Sequence, residues 1–233
     1  MIDYSLTFVI TASREEEEKT LRKSLTDIQE LKKEVKGVKV HLNLDKIEFD
    51  RMPEVDLVTH YELKDSFAEL RNPILSHVTT DFFFILDADE YFLNLSQCYK
   101  EIMKCLEWNM LVHSCECILF PANHMQEWRK EGSRFTRQNI LNTIPQVKTQ
   151  SDFVEIEDKG DYIKFSKMFW PSMHRRLFNR RSFLGYGNLI HEHPGTKLDQ
   201  AMAIPFSEHV TIQHLKSFDQ QHLNHELYTR LAK

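Results

Sequence analysis

The chain opens with alternating apolar runs and amphipathic stretches. Leu6 to Ile10 reads as a short apolar strand, followed by the polar turn Thr11-Ala12-Ser13-Arg14. Ser13 with Glu16 forms a capping-box pattern, and Glu15 to Glu18 place acids where the positive end of a helix dipole favours them. Leu21, Leu25, Ile28, Leu31 and Val35 recur at helical spacing and predict an amphipathic helix that ends at Gly37. Val38, Val40, Leu42 and Leu44 alternate with polar residues, which predicts a second strand running up to Asp45; a third falls at Val55 to Thr59. Asn72-Pro73 predicts a helix from Pro73 to about Val78, because Asn caps well and Pro suits the first helical position. The apolar run Phe82 to Leu86 then predicts a strand covered on both faces, opening straight into Asp87-Ala88-Asp89-Glu90.

Beyond the acids, Leu95, Cys98, Ile102, Cys105 and Leu106 mark a further helix, and Cys115 to Phe120 a further strand. Helices alternating with strands imply an α/β fold with a mostly parallel sheet and helices on both faces. The stretch from about 121 to 167 shows little periodicity and reads as a long excursion over the sheet. A final strand from Val210 to Leu215 carries His214, and the last fifteen or so residues look helical. The chain divides into a first half, 1–120, and a second part of the same domain, 121–233.

Composition narrows this picture modestly. With 233 residues, 41% hydrophobic and 28% charged, the chain has the make-up of an ordinary globular domain with a substantial core. No run of 18 apolar residues and no basic, apolar leader is visible, so the expected location is cytoplasmic. That expectation extends to the inner membrane face, or to a host cytoplasm if the chain is phage-encoded. Cys98, Cys105, Cys115 and Cys117 have no C-x-x-C spacing, which argues against a zinc knuckle or disulfide framework. The net charge of −5 supplies no global attraction to nucleic acid.

The candidate chemistry sits at the acids. In an extended chain Asp87 and Asp89 would share one direction, with only Ala88 between them, an arrangement suited to a divalent cation on phosphate oxygens. A solvated strand end is the plain alternative. His191-Glu192-His193 lies in a segment rich in turn residues; an exposed loop or a zinc site on the two histidines are its other readings. Trp128 and Phe135 interleave with Arg129, Lys130, Arg134 and Arg137, a cluster suited to an anionic acceptor or to a solvated face.

Taken in order, Phe8 to Arg14, Arg71-Asn72, Leu86 to Glu90, Arg176-Leu177-Phe178, Gly187 and His191-Glu192 resemble family 2 glycosyltransferases of the GT-A fold, in particular bacterial members acting on lipopolysaccharide core. The resemblance covers roughly 4–120 and 168–215, and it implies that 1–120 is the nucleotide-sugar-binding half and 121–233 the acceptor-side and catalytic part of one GT-A domain. It implies a nucleoside-diphosphate sugar donor, UDP-linked by default, and an inverting one-step transfer with Mn²⁺ or Mg²⁺ as cofactor. Asp89 and Asp87 would hold the metal, with a late histidine, His214 or alternatively His209, completing the site. Thr11, Ala12, Ser13, Arg14, Asp45, Arg71, Asn72, Asp87 and Ala88 would face the donor. Glu192 would be the catalytic base, flanked by His191, while Arg176, His193 and Trp128 would lie toward the acceptor. Glu90 is left outside the metal shell as a support of the loop. The acceptor implied is a glycan or lipid-linked glycan of the cell envelope; modified DNA bases are the alternative acceptor. A metal-dependent phosphohydrolase and a non-catalytic nucleotide-sugar or glycan-binding module are the alternatives of other classes.

Overall fold

The computed structural model describes residues 4–50, 52–112, 117–129, 154–158, 162–187, 193–196, 201–204 and 210–217. The first strand, β1 (Leu6–Ala12), leads through a 3-10 turn into helix α1 (Glu18–Glu34) and then β2 (Val38–Leu44). Gly37, between the helix and β2, has a φ of +82°, a value that favours glycine. Next come β3 (Leu57–Thr59), α2 (Phe67–Ser76), β4 (Phe82–Asp87), β5 (Glu90–Phe92) and α3 (Leu95–Val112). The later strands are β6 (Cys117–Arg129), β7 (Val154–Asp158), β8 (Tyr162–Asn179), β9 (Phe183–Gly187), β10 (His193–Thr196), β11 (Ala201–Ala203) and β12 (Ile212–Ser217).

One mixed sheet carries the α/β fold. Its order is β3-β2-β1-β4-β8-β6-β12-β5, with β11 beside β6 and β7 beside β8. The half made of β3, β2, β1 and β4 is parallel. From β4 onward β8 runs antiparallel to both β4 and β6, whereas β12 is parallel to β6 and antiparallel to β5.

The apolar run of β4 is buried on both faces, as its composition predicts. Phe82, Phe84 and Leu86 join Phe8, Leu25, Ile28 and Ile102 on the side covered by α1 and α3. Phe83 and Ile85 join Leu70, Ile74, Phe178 and Tyr186 on the side of α2 and β9. Alternation carries Asp87 to the α2 side, which decides its partners.

Three sequence expectations change. The second helix begins at Phe67 rather than Pro73: the Ser66 hydroxyl accepts the Glu69 N–H at 3.0 Å, and Pro73 lies inside the helix. The stronger cap starts the helix a turn and a half early, at the cost of one backbone bond at the proline. The first helix is capped one residue later than the Ser13–Glu16 pattern predicts, because the 3-10 turn Glu15–Glu17 brings the Glu17 carboxylate back onto the Ser13 and Arg14 N–H groups, at 2.8 and 3.2 Å. Part of the expected excursion is regular structure: β6 runs on to Arg129, and β8 pairs along it from Trp128↔Ile163 back to Cys117↔Phe178. The expected C-terminal helix lies outside the described residues.

Candidate functional site

The carboxyl ends of β1, β2 and β4 are level, since Thr11 pairs with Asp87 and Ala12 with Leu44. Just past them, the Ala88 N–H donates to the Thr11 carbonyl at 3.2 Å and the Asp45 N–H to the Ala12 carbonyl at 2.8 Å. The parallel half therefore presents the Thr11–Arg14 segment, Asp45 and the acidic turn along a single edge, where open α/β sheets bind ligands.

At that edge the chain does not stay extended. Ala88 and Asp89 form a turn between β4 and β5, so the predicted strand alternation of Asp87 and Asp89 ends at Asp87. The two acids accordingly take different partners. Asp87 Oδ1 accepts from Arg71 Nη2 at 3.3 Å, and its Oδ2 lies 3.5 Å from Arg176 Nη1. Asp89 Oδ2 lies 3.2 Å from His214 Nε2. His214 reaches this position because β12 pairs with β5 and places it opposite Glu90.

Glu90 is the hub beneath the turn. It is fully buried, accepts the Asp87 N–H on Oε2 at 3.0 Å, pairs with Arg176 Nη2 at 2.5 Å, and faces His214 Nδ1 at 3.6 Å. Burial pushes its carboxyl up from the ordinary value, against the pull of Arg176. Arg176 stays charged in spite of its own burial because Glu90 and Asp87 lie against it. Arg176, expected toward the acceptor, is thus buried under the acidic turn, where it holds two of its acids together.

Of the other expected donor-side residues, Asp45 is buried, and its Oδ1 accepts the Leu63 N–H at 3.2 Å. Burial raises its carboxyl above the ordinary range, partly offset by that bond. The Arg71 guanidinium sits 5.6 Å from the Tyr186 ring centroid as well as on Asp87. Asn72 turns from the acids to the backbone of Tyr186. Trp128 falls on β6 in register with Ile163, and His193 opens β10 in register with Gly187. His191, Glu192 and His209 lie outside the described residues, as do Lys130, Arg134 and Arg137.

Sequence patterning missed Glu17. Its carboxyl rises to about 7, through burial first and then through the negative charges of Asp89 and Asp87, opposed by the Ser13 N–H and by Arg14. A helix-start acid is easily taken for a solvated cap. Only the 3-10 turn reveals that it points back under the Thr11–Arg14 segment. Because the folded value lies above the ordinary 4.5, the unfolded chain releases this proton first, and stability should fall as pH rises from about 4.5 to about 7. Glu17→Gln keeps an acceptor for the two N–H groups without the charge. In chelator-containing buffer it is expected to be more stable than the parent at pH 8, by about 1–3 kcal/mol, and equal to it at pH 4. Urea unfolding at the two pH values checks this, and an unchanged gap between them would defeat it.

The donors also bear on a cation. Adjacent ligands of an octahedral ion with bonds of about 2.1 Å stand about 3.0 Å apart. Asp89 Oδ2 and His214 Nε2, 3.2 Å apart, would fit that edge, and the Glu90 carboxylate, 3.6 Å from His214 Nδ1, would stand behind the imidazole as a supporting charge. Among the described residues no three His, Cys, Asp or Glu side chains cluster as a ligand set. A cation here would therefore take most of its shell from phosphate oxygens and water, as Mg²⁺ and Mn²⁺ readily do. Asp87, bracketed by two guanidinium groups, fits a supporting place better than a direct one.

No protein-family model matches the chain, and no curated protein matches it. Solved structures similar to it include S. aureus TarS, 16% identical with a TM-score of 0.38, covering 57% of this chain and 23% of that one. TarS 1–349 in complex with UDP-GlcNAc is 16% identical, with a TM-score of 0.39, over 52% of this chain and 35% of that one. The CMP:2-keto-3-deoxy-manno-octonic acid synthetase complexed with CTP is 12% identical, with a TM-score of 0.37, over 76% and 75%. The chain thus spans about a quarter to a third of the length of the TarS chains it matches. Among the described residues no helix is long and apolar enough to cross a membrane.

Proposed function

We propose that the chain is a metal-dependent, inverting glycosyltransferase that moves a sugar from a UDP-sugar to a hydroxyl of a cell-envelope glycan. The observation that carries this reading is the meeting of Asp89 and His214, 3.2 Å apart, at the carboxyl edge of the parallel half beside the Thr11–Arg14 segment. Thr11, Ser13, Arg14 and Asp45 would face the base and ribose, whereas Ala12, expected beside them, is wholly buried in the core and supports the segment from beneath. Arg71, tethered on Asp87 and Tyr186, keeps a guanidinium at the same edge for the diphosphate. Asp89 and His214 are the protein donors to Mn²⁺ or Mg²⁺, which when bound supplies Lewis-acid neutralisation of the departing diphosphate. Asp87 and Ala88 shape the turn, and Glu90 with Arg176 holds it.

In the transfer, the acceptor oxygen forms its bond to the anomeric carbon while the bond from that carbon to the diphosphate oxygen breaks. The electron pair leaves with the diphosphate, and the hydroxyl proton passes to the Glu192 carboxylate. On this reading His191, His193 and Trp128 serve the acceptor.

Thermal unfolding with UDP and Mn²⁺ tests the donor site. At ligand near 100 times its dissociation constant, linkage supplies about 2.7 kcal/mol, or about 5–10 °C for a chain of this size. The parent is expected to gain that much with both additions together, and Asp89→Ala to gain almost nothing. Equal gains in the two proteins would remove Asp89 from the metal, and no gain in the parent with any nucleotide would overturn the function.

A further inference from the structure

We infer that Asn72 is a positioning residue that locks the β9–β10 hairpin onto the donor edge. Its side-chain amide addresses one residue twice: Oδ1 accepts the Tyr186 N–H at 2.7 Å, and Nδ2 donates to the Tyr186 carbonyl at 3.0 Å. The amide thereby stands in for a neighbouring strand at Tyr186, 114 residues away in sequence. Only a short side chain with one donor and one acceptor makes both bonds. Asp lacks the donor, and Gln is a methylene too long.

Three neighbouring features point to a built joint. Gly185 has a φ of +107°, and a Cβ added there would stand 3.3 Å from Asn72 Oδ1, so the backbone approach depends on glycine. The Tyr186 ring is buried against Phe178 and Phe183. The residue before Asn72 is Arg71, bound to Asp87 and lying over that same ring. Consecutive residues of α2 thus hold the acidic turn on one side and the hairpin on the other.

Gly187 and His193 are register partners, so the segment 188–192 connects them, and Glu192 is bonded directly to His193. On the proposed reading, with Glu192 as the base, the Asn72 lock fixes Tyr186 and, through the Gly187–His193 pairing, the residue that follows the base in the chain. Loss of the lock should then lower turnover and leave nucleotide binding alone.

The test uses the full chain, with Asn72→Ala, Asn72→Asp and Gly185→Ala. Amide hydrogen exchange over 183–196 should speed up at least tenfold in each variant, while β1 and β4 keep their protection. Affinity for UDP with Mn²⁺ should stay within about twofold. UDP release from a UDP-sugar should show kcat reduced about 10- to 100-fold with the donor KM within about threefold. Unchanged exchange over 183–196 overturns the lock, and faster exchange with parent-like kcat overturns its catalytic consequence. Failure of all three variants to fold overturns positioning in favour of a purely structural role. A parent that neither binds UDP with Mn²⁺ nor releases UDP defeats the glycosyltransferase reading instead, and the exchange data then decide the lock alone.

Discussion

Arg176→Met should lower stability by about 3–5 kcal/mol, because it leaves the fully buried Glu90 carboxylate without its cation. Both members of the pair are shut away from water, and Arg176 also reaches toward Asp87, so no solvent can take over either charge. The loss should be smaller at pH 5 than at pH 8: burial already pushes Glu90 up, and without Arg176 the carboxyl can take a proton and shed its charge. Adding Glu90→Gln to Arg176→Met should recover at least half of the loss, since the amide oxygen can still accept the Asp87 N–H. Urea unfolding of the two variants decides the matter. A loss under 1 kcal/mol at pH 8 would mean that the pair contributes little.

Glu192→Gln should reduce transfer by about 10²–10⁴-fold, the span that a positioned general base supplies. The amide has almost the shape of the acid but cannot take the hydroxyl proton. Affinity for UDP with Mn²⁺ should stay within about twofold, since on the proposed reading Glu192 serves the acceptor and not the donor. Transfer at the parent rate would eliminate Glu192 as the base, and a parallel loss of nucleotide affinity would place it on the donor side.

How far each of these residues could be foreseen depends on how local its cause is. The strand–turn–helix start, the alternating β2 and the doubly covered β4 follow from periods of two and 3.6 that lie within a few residues of each other. The edge that gathers Thr11, Asp45 and Asp87 follows from parallel pairing of such strands. The start of α2 is ambiguous in the sequence because Asn72-Pro73 and Ser66-x-x-Glu69 both look like helix starts, and only the second makes its bond. Local sequence holds no sign of the grip of Asn72 on Tyr186, because the hairpin lies 114 residues on. Arg176 offered no clue to its direction, since one step along an extended strand exchanges solvent for core. Glu17 was hidden by a 3-10 turn that shifts the cap by one residue.

The sheet order also sets the sequence of events in folding. Strands β1, β2 and β4 and helix α1 come from the first 90 residues and can pair early. The acidic turn, however, is finished only when β8 brings Arg176 to Glu90 and β12 brings His214 to Asp89, across separations of 86 and 125 residues. Contacts of that range form late, because the chain must close long loops before they return any energy. A newly made chain would therefore have most of its parallel half in place before Asp89 meets His214, and on the proposed reading competence for chemistry would report completion of the sheet.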